Sequence, residues 1–301
     1  MYYKYTGLDD KKKVRKTFLM DGKFRFTQPK HLDDPKEVKP KIYIDTYSPK
    51  DLSIARKKLE EKFGGNFSDD DAITFDLKSP SKRYGELSPD LLENEGFSSM
   101  AEYDEQLLLD IYQKFKVRVN SEIGVFSLTS KPNNIPLWSK YSNDFNGLVI
   151  GFSEKITNNQ KYISNKVHYD PELVSFEVSL NSGVVRFNGH KVTTPIISDF
   201  QITNNLINSF LFHKTDSWKP QDEFRLITKF PKSMELEDHV HLETIPFNFF
   251  KELYIGYNVS EIERQEIISI IKNNPELSHI CCFNQIINPL SGDLEFVKIN
   301  L

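Results

Sequence analysis

Alternating apolar and polar residues predict short β-strands along much of the chain. Successive side chains of a strand point to opposite faces, so a period of two is typical of a sheet with unlike faces. Two further strand-like runs fall within residues 280–300. The pattern predicts strands at residues 2–6, 23–28, 123–130, 147–152, 173–180, 183–187, 224–230 and 252–256.

Apolar residues at helical spacing predict helices at 49–63, 99–118 and 260–274. The first ends at a glycine pair and the last begins at a serine, which are typical helix boundaries. Residues 9–19 form a weaker helix-like segment, and residues 64–98, rich in Gly, Ser, Asp and Pro, are predicted to be a loop or lid. We found no internal repeat and no linker. The sequence therefore predicts one α+β domain over residues 1–301, with a helical and loop insertion at about 49–118.

The composition argues against several classes of protein. No apolar run has the length of a membrane span, and the first residues lack the apolar core of a signal peptide. The two cysteines are adjacent, so no disulfide framework is expected and a location in a reducing cytoplasm is predicted. The net charge of −4 argues against a general nucleic-acid coat protein. No metal site is predicted, because the seven histidines are scattered.

Charge is unevenly distributed along the chain. Residues 1–50 contain 13 Lys and Arg against 7 Asp and Glu, although the whole chain is acidic. A basic face of this kind attracts phosphate-bearing ligands. An ordinary solvated surface is the simpler interpretation.

Two predicted strands carry polar residues on one face. On the first, alternation places Lys4 opposite Tyr3 and Tyr5, so Lys4 is either a ligand contact or the solubilising lysine of an edge strand. On the strand at 123–130, Ser127 and Thr129 share a face. That face either lines a polar cleft or is solvated.

Trp138 and Tyr141 lie three residues apart in the segment that follows. On a helical turn, residues at this spacing share a face, and two such rings can clamp a flat ligand. The same spacing serves core packing, which the pattern favours.

The segment at 216–230, DSWKPQDEFRLITKF, places Trp218 shortly before a strand with acidic and basic residues. Strand alternation predicts that Gln221, Glu223 and Arg225 share one face. A carboxylate beside a guanidinium keeps a low pKa, which suits stabilising a cationic transition state or holding a sugar hydroxyl. A structural salt bridge is the alternative.

Several of these motifs occur together in one order. An opening Y-K-Y at 3–5 is followed by a D-P turn at 34–35, and a strand of the F-S-L-T type continues into W-S-x-Y and G-x-x-x-G-F at 126–152. A W-x-x-Q-x-E-F-R-L segment follows at 218–226. In these motifs the chain resembles, over most of its length, the bacterial domain-of-unknown-function family numbered 2971. That family implies no activity.

The chain also resembles ADP-ribosyltransferases, whose split mixed or antiparallel sheet with flanking helices carries three signature positions for NAD. The resemblance implies a basic residue on the first or second strand, hydroxyls on a middle strand that frame the nicotinamide, and a Q-x-E whose glutamate contacts the ribose and stabilises an oxocarbenium-like transition state. The matching residues are Lys4 or Arg25, then Ser127 and Thr129, then Gln221 and Glu223, with Tyr5, Trp138, Tyr141, Trp218 and Arg225 as further contacts to the nucleotide.

The resemblance implies an ADP-ribosyltransferase-like enzyme with NAD as substrate and no metal. It would modify a macromolecular or small acceptor, or hydrolyse NAD, and a role as a toxin or phage-defence effector fits this chemistry. The alternative is a non-catalytic module that senses a nucleotide or binds another protein.

Overall fold

The protein is a mixed α+β structure with a large mixed sheet and several helices. The computed structural model describes residues 1–34, 37–38, 41–45, 49–69, 71–72, 113, 116–170, 175–179, 185–187, 190–193, 204–230 and 240–301. The chain forms two compact units. The first comprises Met1–Gln28, Ile123–Val167 and Ser217–Leu301, and the second comprises Pro29–Glu122 and His168–Asp216. A single domain over residues 1–301 stays a prediction.

The first unit contains every residue predicted for the site. Its strands are β1 (Tyr2–Thr6), β2 (Lys23–Arg25), β4 (Ile123–Thr129), β5 (Leu148–Phe152), β6 (Ile163–Lys166), β12 (Glu223–Lys229), β13 (Leu242–Thr244), β14 (Phe250–Ile255), β15 (Cys281–Ile287) and β16 (Leu294–Ile299). Its helices are α1 (Phe18–Asp21), α3 (Ile135–Tyr141) and α5 (Glu261–Asn273), with 3-10 turns at Glu154–Asn158, Asp216–Gln221, Phe247–Phe249 and Pro275–Leu277.

The second unit is built from short strands and helices, of which the following have described bounds. Its strands are β3 (Lys41–Asp45), β7 (His168–Asp170), β8 (Ser175–Ser179), β9 (Val185–Phe187), β10 (His190–Thr193) and β11 (His213–Thr215), and its helices are α2 (Pro49–Phe63) and α4 (Asn204–Phe210), with a 3-10 turn at Pro29–His31. Helix α2 confirms the prediction at 49–63. Most of the predicted loop at 64–98 and helix at 99–118 lies outside the described residues, as does Pro35 of the predicted turn.

Eight strands of the first unit form one sheet in the order β16-β15-β14-β5-β1-β4-β12-β6. The β14–β15 pair is parallel and the other pairs are antiparallel. The strands β1, β4 and β12 are therefore neighbours, although they are far apart in sequence. A separate pair is formed by β2 and β13.

Each face of this sheet has its own apolar core. On one face, Phe24, Phe126, Phe152 and Phe250 are all buried and meet edge to face at centroid distances of 5.3–5.9 Å. On the other face, Tyr3, Tyr5 and Val149 of the sheet pack with Trp138 of α3. The sheet thus separates an aliphatic and phenylalanine core from a tyrosine and tryptophan core.

The helix predicted at 9–19 is wrong except for its last two residues, Phe18 and Leu19. The Asp9 carboxylate accepts hydrogen bonds from the backbone nitrogens of Lys11 and Lys13, both at 2.9 Å, and Leu8 bridges Val14 as in a hairpin. A short acidic side chain that bonds neighbouring backbone groups competes with helix formation. The helix begins only at Phe18.

Helix α3 lies between β4 and β5, in the segment for which a helical turn was one interpretation of the spacing of Trp138 and Tyr141. Asn134 caps it, since its side chain accepts a hydrogen bond from the Leu137 nitrogen, and a proline occupies the first turn. The helix stops where Asn143, Asp144 and Phe145 all adopt positive φ angles of 49–64°. The cap at Asn134 and the turn at 143–145 set the two ends of the helix and place Tyr141 in its last position.

Candidate functional site: a basic cleft

A cleft of about 640 Å³ opens on the phenylalanine side of the sheet in the first unit. Its walls come from the end of β1, the loop that follows it, α1, β2 and the end of α3. It is called the basic cleft below, because seven cationic side chains line it against two carboxylates: Lys4, Lys13, Arg15, Lys16, Lys23, Arg25 and Lys140 against Asp9 and Asp21.

Aromatic side chains form the inner wall of the basic cleft. Phe18, Phe24 and Phe126 line it and are at most 5 % exposed. The Lys4 ammonium lies 4.9 Å from the centre of the Phe126 ring and donates a hydrogen bond of 3.0 Å to the Ser127 carbonyl oxygen. Lys4 is therefore held in the wall with its charge facing the cleft region.

Four of the seven cations of the cleft form no ion pair with a described residue. Lys16 forms an ion pair with Glu266. The exposed side chains of Lys13, Arg15, Lys23 and Arg25 form no hydrogen bond and no ion pair within the described part of the chain. Cations on a largely apolar wall create a local positive potential in a protein of net charge −4.

The two carboxylates of the cleft are oriented toward the backbone. Asp21 accepts from the Lys23 nitrogen at 2.9 Å. The hydrogen bond from the backbone of Lys13 lowers the pKa of Asp9, with further contributions from Lys11 and Arg15. Both carboxylates help to shape the turns that carry the cations.

The predicted Glu223–Arg225 pair exists and is buried. The Arg225 Nε donates to Glu223 Oε1 at 2.7 Å, and the two residues are 0 % and 3 % exposed. On the neighbouring strand, Glu223 is paired with Thr129 and Arg225 with Ser127. The Thr129 hydroxyl is buried and has no hydrogen-bond partner among the described residues. These four side chains share one face of the sheet.

Lys4 lies on the opposite face from Glu223. In the register of the sheet Tyr3 is paired with Thr129, so Tyr3, Thr129 and Glu223 point one way and Lys4 points the other. The predicted set of Lys4, Ser127 or Thr129, and Glu223 is therefore brought to adjacent strands but does not converge on one face.

Gln221 does not continue the strand, contrary to the predicted alternation. It ends a 3-10 turn, and Asp222 has a φ of 45°, which reorients the chain before β12 begins. The Gln221 Nε2 instead donates to the Tyr141 hydroxyl at 3.0 Å. Asp222 is held by Lys166 at 2.8 Å, and this contact lowers the pKa of Asp222.

The predicted aromatic residues separate into two groups. Trp138 is fully buried and donates from Nε1 to the Pro132 carbonyl at 2.7 Å, while Tyr5 packs against it with its hydroxyl bonded to Lys131. Tyr141 is half-buried and lines the basic cleft. Trp138 and Tyr141 thus do not form a clamp, and core packing is the role of Trp138.

Trp218 lies near the basic cleft through a shared lysine. The Lys140 ammonium sits 4.5 Å from the Trp218 ring centre and 5.2 Å from that of Tyr141. Both contacts are within the range of a cation–π interaction. Lys140 thereby connects the cleft wall to the turn that precedes β12.

The basic cleft unites Lys4, Arg25 and Tyr141 with cations that motif analysis did not single out. Two sequence features indicate this cluster of cations. Residues 11–16 carry five of the basic residues of the N-terminal segment, and in β2 the exposed Lys23 and Arg25 alternate with the buried Phe24. The helix predicted over residues 9–19 gave no indication that these side chains line one cavity.

Comparison with family models, with curated proteins and with solved structures found no match to this chain. Across the residues that the structure describes, no helix is long and apolar enough to cross a membrane. The proposed function therefore rests on the positions and charges of the residues described above.

Proposed function

We propose that this chain binds a phosphate-bearing nucleotide in the basic cleft. The observation that carries the proposal is the set of four exposed cations, Lys13, Arg15, Lys23 and Arg25, that have no ion-pair partner among the described residues. Guanidinium and ammonium groups bind phosphate oxygens by charge-assisted hydrogen bonds. A non-catalytic nucleotide-sensing module needs nothing more than such a cleft.

The dimensions and walls of the cleft suit a nucleotide. Its volume of about 640 Å³ lies within the range of small-molecule sites. Tyr141 supplies an aromatic surface for a base or nicotinamide ring, and Phe126 lies behind Lys4. NAD and ADP-ribose are the ligands to test first, because the resemblance to ADP-ribosyltransferases implies them.

The variant Arg25→Glu is expected to weaken binding of ADP-ribose by about 10- to 100-fold, since a charge-assisted hydrogen bond contributes about 1.5–3 kcal/mol. Arg25 is exposed and projects from a short strand, so the substitution leaves the core intact. The measurement is isothermal titration calorimetry at low ionic strength, repeated with added salt, which should weaken wild-type binding.

Lys298→Glu is the matched control. Lys298 is exposed on β16 of the same unit, away from the cleft lining, and its reversal changes the net charge equally. Equal loss of affinity in both variants would reduce the effect to overall charge. Absence of any saturable binding by ADP-ribose, NAD or ATP to the wild type contradicts the proposal.

NAD-dependent ADP-ribosyl transfer or NAD hydrolysis is the second candidate function. Gln221 bonds Tyr141 in the wall of the basic cleft, but Glu223 is buried on the other face of the sheet, beside the Thr129 hydroxyl that has no hydrogen-bond partner among the described residues. This candidate therefore requires NAD to reach Glu223 on that face rather than in the basic cleft. The strands that carry the proposed signature residues, β1, β4 and β12, are neighbours in one sheet. A toxin or phage-defence role belongs to this candidate, whereas the proposed membership of family 2971 implies neither function.

Under this second candidate, Glu223→Gln is expected to reduce NAD consumption by about 10²- to 10³-fold, as for loss of one transition-state-stabilising group. Nucleotide binding in the cleft should stay within about twofold of wild type, because Glu223 lies on the other face of the sheet. Release of nicotinamide by the folded proteins is the measurement. Equal release by both proteins, or none by either with protein and nucleic-acid acceptors, excludes catalysis and leaves the binding module.

A further inference from the structure

Two histidines that are distant in sequence lie side by side in the second unit. His168 on β7 and His213 on β11 are direct partners in the parallel pairing of these strands. Their ring centres are 5.5 Å apart, with an angle of 35° between the ring planes. The seven histidines are scattered along the sequence, which gives no indication that the fold brings two of them together.

A carboxylate fixes the orientation of one of the two rings. Asp170 lies two residues after His168 and shares its face of β7, since side chains alternate along a strand. The Nδ1 of His213 lies 2.8 Å from Asp170 Oδ2. An ionised carboxylate only accepts hydrogen bonds, so Nδ1 carries the proton and Nε2 of a neutral His213 keeps its lone pair. A histidine that binds a metal is typically held in this way, by a carboxylate on its other ring nitrogen.

The other ring nitrogens of the pair form no hydrogen bond within the described part of the chain. They are Nε2 of His213 and both nitrogens of His168. The side chain of His213 is 21 % exposed, and His168 is exposed. Small ions therefore reach the pair directly from solvent, and neither histidine is used to satisfy a buried polar group among the described residues.

The separation of the two rings suits one shared metal ion. Zinc binds imidazole nitrogens at about 2.0–2.1 Å in tetrahedral geometry, and two rings bound in this way have centres about 5 Å apart. The separation of 5.5 Å between His168 and His213 is close to that value. A small adjustment of the exposed His168 side chain therefore brings one of its nitrogens to the same ion as His213 Nε2.

We propose that His168 and His213 together bind a divalent transition metal, with Zn²⁺ as the ion to test. Imidazole nitrogen suits Zn²⁺, Ni²⁺ and Cu²⁺, whereas Mg²⁺ and Ca²⁺ prefer oxygen ligands. Among the described residues no group of three or more His, Cys, Asp or Glu could hold a metal ion, so this site has two protein ligands and water completes the coordination. Asp170 is a positioning residue that acts through His213. The site lies in the second unit and is independent of the nucleotide proposed for the basic cleft in the first.

The test titrates the metal-free full chain with zinc chloride, followed by calorimetry and by long-range ¹H–¹⁵N NMR spectra of the histidine rings. We expect the ring signals of His168 and His213 to shift together and to saturate, and magnesium chloride to cause no such shift. Zinc binding should weaken as the pH falls from about 7.5 to about 5.5, because protons compete for the imidazole nitrogens. Unchanged signals of the two rings at saturating zinc, or equal binding of magnesium, overturns the proposal.

Three variants separate the ligands from the positioning residue. His168→Ala and His213→Ala each leave a single imidazole and are expected to weaken zinc binding about tenfold or more. Asp170→Ala keeps both ligands and should weaken binding about 10- to 100-fold, while the metal-free His213 ring changes from the Nδ1–H tautomer to a mixture of tautomers. His279→Ala is the matched control, because His279 is exposed in the first unit and its Nε2 donates to the Phe250 carbonyl. Wild-type affinity in folded His168→Ala, or an equal loss in His279→Ala, contradicts the assignment.

Discussion

Arg225→Met is expected to lower the free energy of unfolding by about 3–5 kcal/mol, because it leaves the Glu223 carboxylate buried without its cation. The two side chains are 0 % and 4 % exposed and are joined at 2.7 Å. Burying an ionised carboxylate is costly unless it is paired and hydrogen-bonded. Loss of the guanidinium therefore removes the ion pair that offsets the desolvation cost of the carboxylate.

Urea denaturation at neutral pH measures this effect. Lys161→Met is the matched control, since Lys161 pairs with Glu243 at a position where its side chain is 46 % exposed. That loss is expected to be about 0.2–1 kcal/mol. The double variant Glu223→Gln, Arg225→Met should be more stable than Arg225→Met alone, because the uncompensated charge is gone. If Arg225→Met costs no more than Lys161→Met, the pair is not the buried structural element that we describe.

The stability of the pair also affects how the catalytic candidate is tested. A Glu223→Gln protein that has partly unfolded would lose NAD consumption for a trivial reason. Activity must therefore be compared at a temperature where the urea curves show both proteins to be folded. Only a loss of turnover in folded protein bears on the chemistry of Glu223.

Local patterns predicted most strands of the first unit, although not β6 or β13, and they did not predict how the strands are paired. Alternation placed Tyr3 and Tyr5 opposite Lys4, and the structure agrees. It could not show that Tyr3 would be paired with Thr129 and Thr129 with Glu223, because pairing between distant segments depends on the whole fold. The predicted convergence of Lys4 with Glu223 failed at this step, since residues on adjacent strands share a site only if they also share a face.

Local side-chain chemistry explains the other differences. The hydrogen bonds of the Asp9 carboxylate replaced a helical turn with a hairpin-like loop, and the positive φ of Asp222 moved Gln221 off the strand. Neither effect is visible in the spacing of apolar residues along the sequence, from which the helix and the strand were predicted. The excess of basic residues at 1–50 was evident in the sequence, but their arrangement around one cleft was not, because the cations come from β1, a loop, β2 and α3, which only the folded chain brings together.

Trp138→Ala is expected to destabilise the protein by about 3–5 kcal/mol, the usual cost of removing a large buried aromatic side chain. Trp138 is fully buried, meets the Tyr5 ring edge to face at 5.4 Å and stacks on Phe145 at 5.9 Å. Its removal also leaves the Pro132 carbonyl without the donor that bonds it at 2.7 Å. Trp138→Phe retains part of the packing and should cost less.

The effect of Trp138→Ala is interpreted by comparing it with the effect of Tyr141→Ala on stability and on nucleotide binding. If the two residues formed a ligand clamp, both substitutions would weaken nucleotide binding. Because Tyr141 lines the basic cleft and Trp138 belongs to the core on the other face, we expect one substitution to affect stability and the other to affect nucleotide binding.

Trp138→Ala should lower the urea midpoint with nucleotide affinity within about twofold of wild type. Tyr141→Ala should cost about 1–3 kcal/mol in binding, as for loss of a stacked base, with a smaller effect on folding. Loss of affinity in folded Trp138→Ala protein would restore the clamp and contradict the assignment of Trp138 to the core.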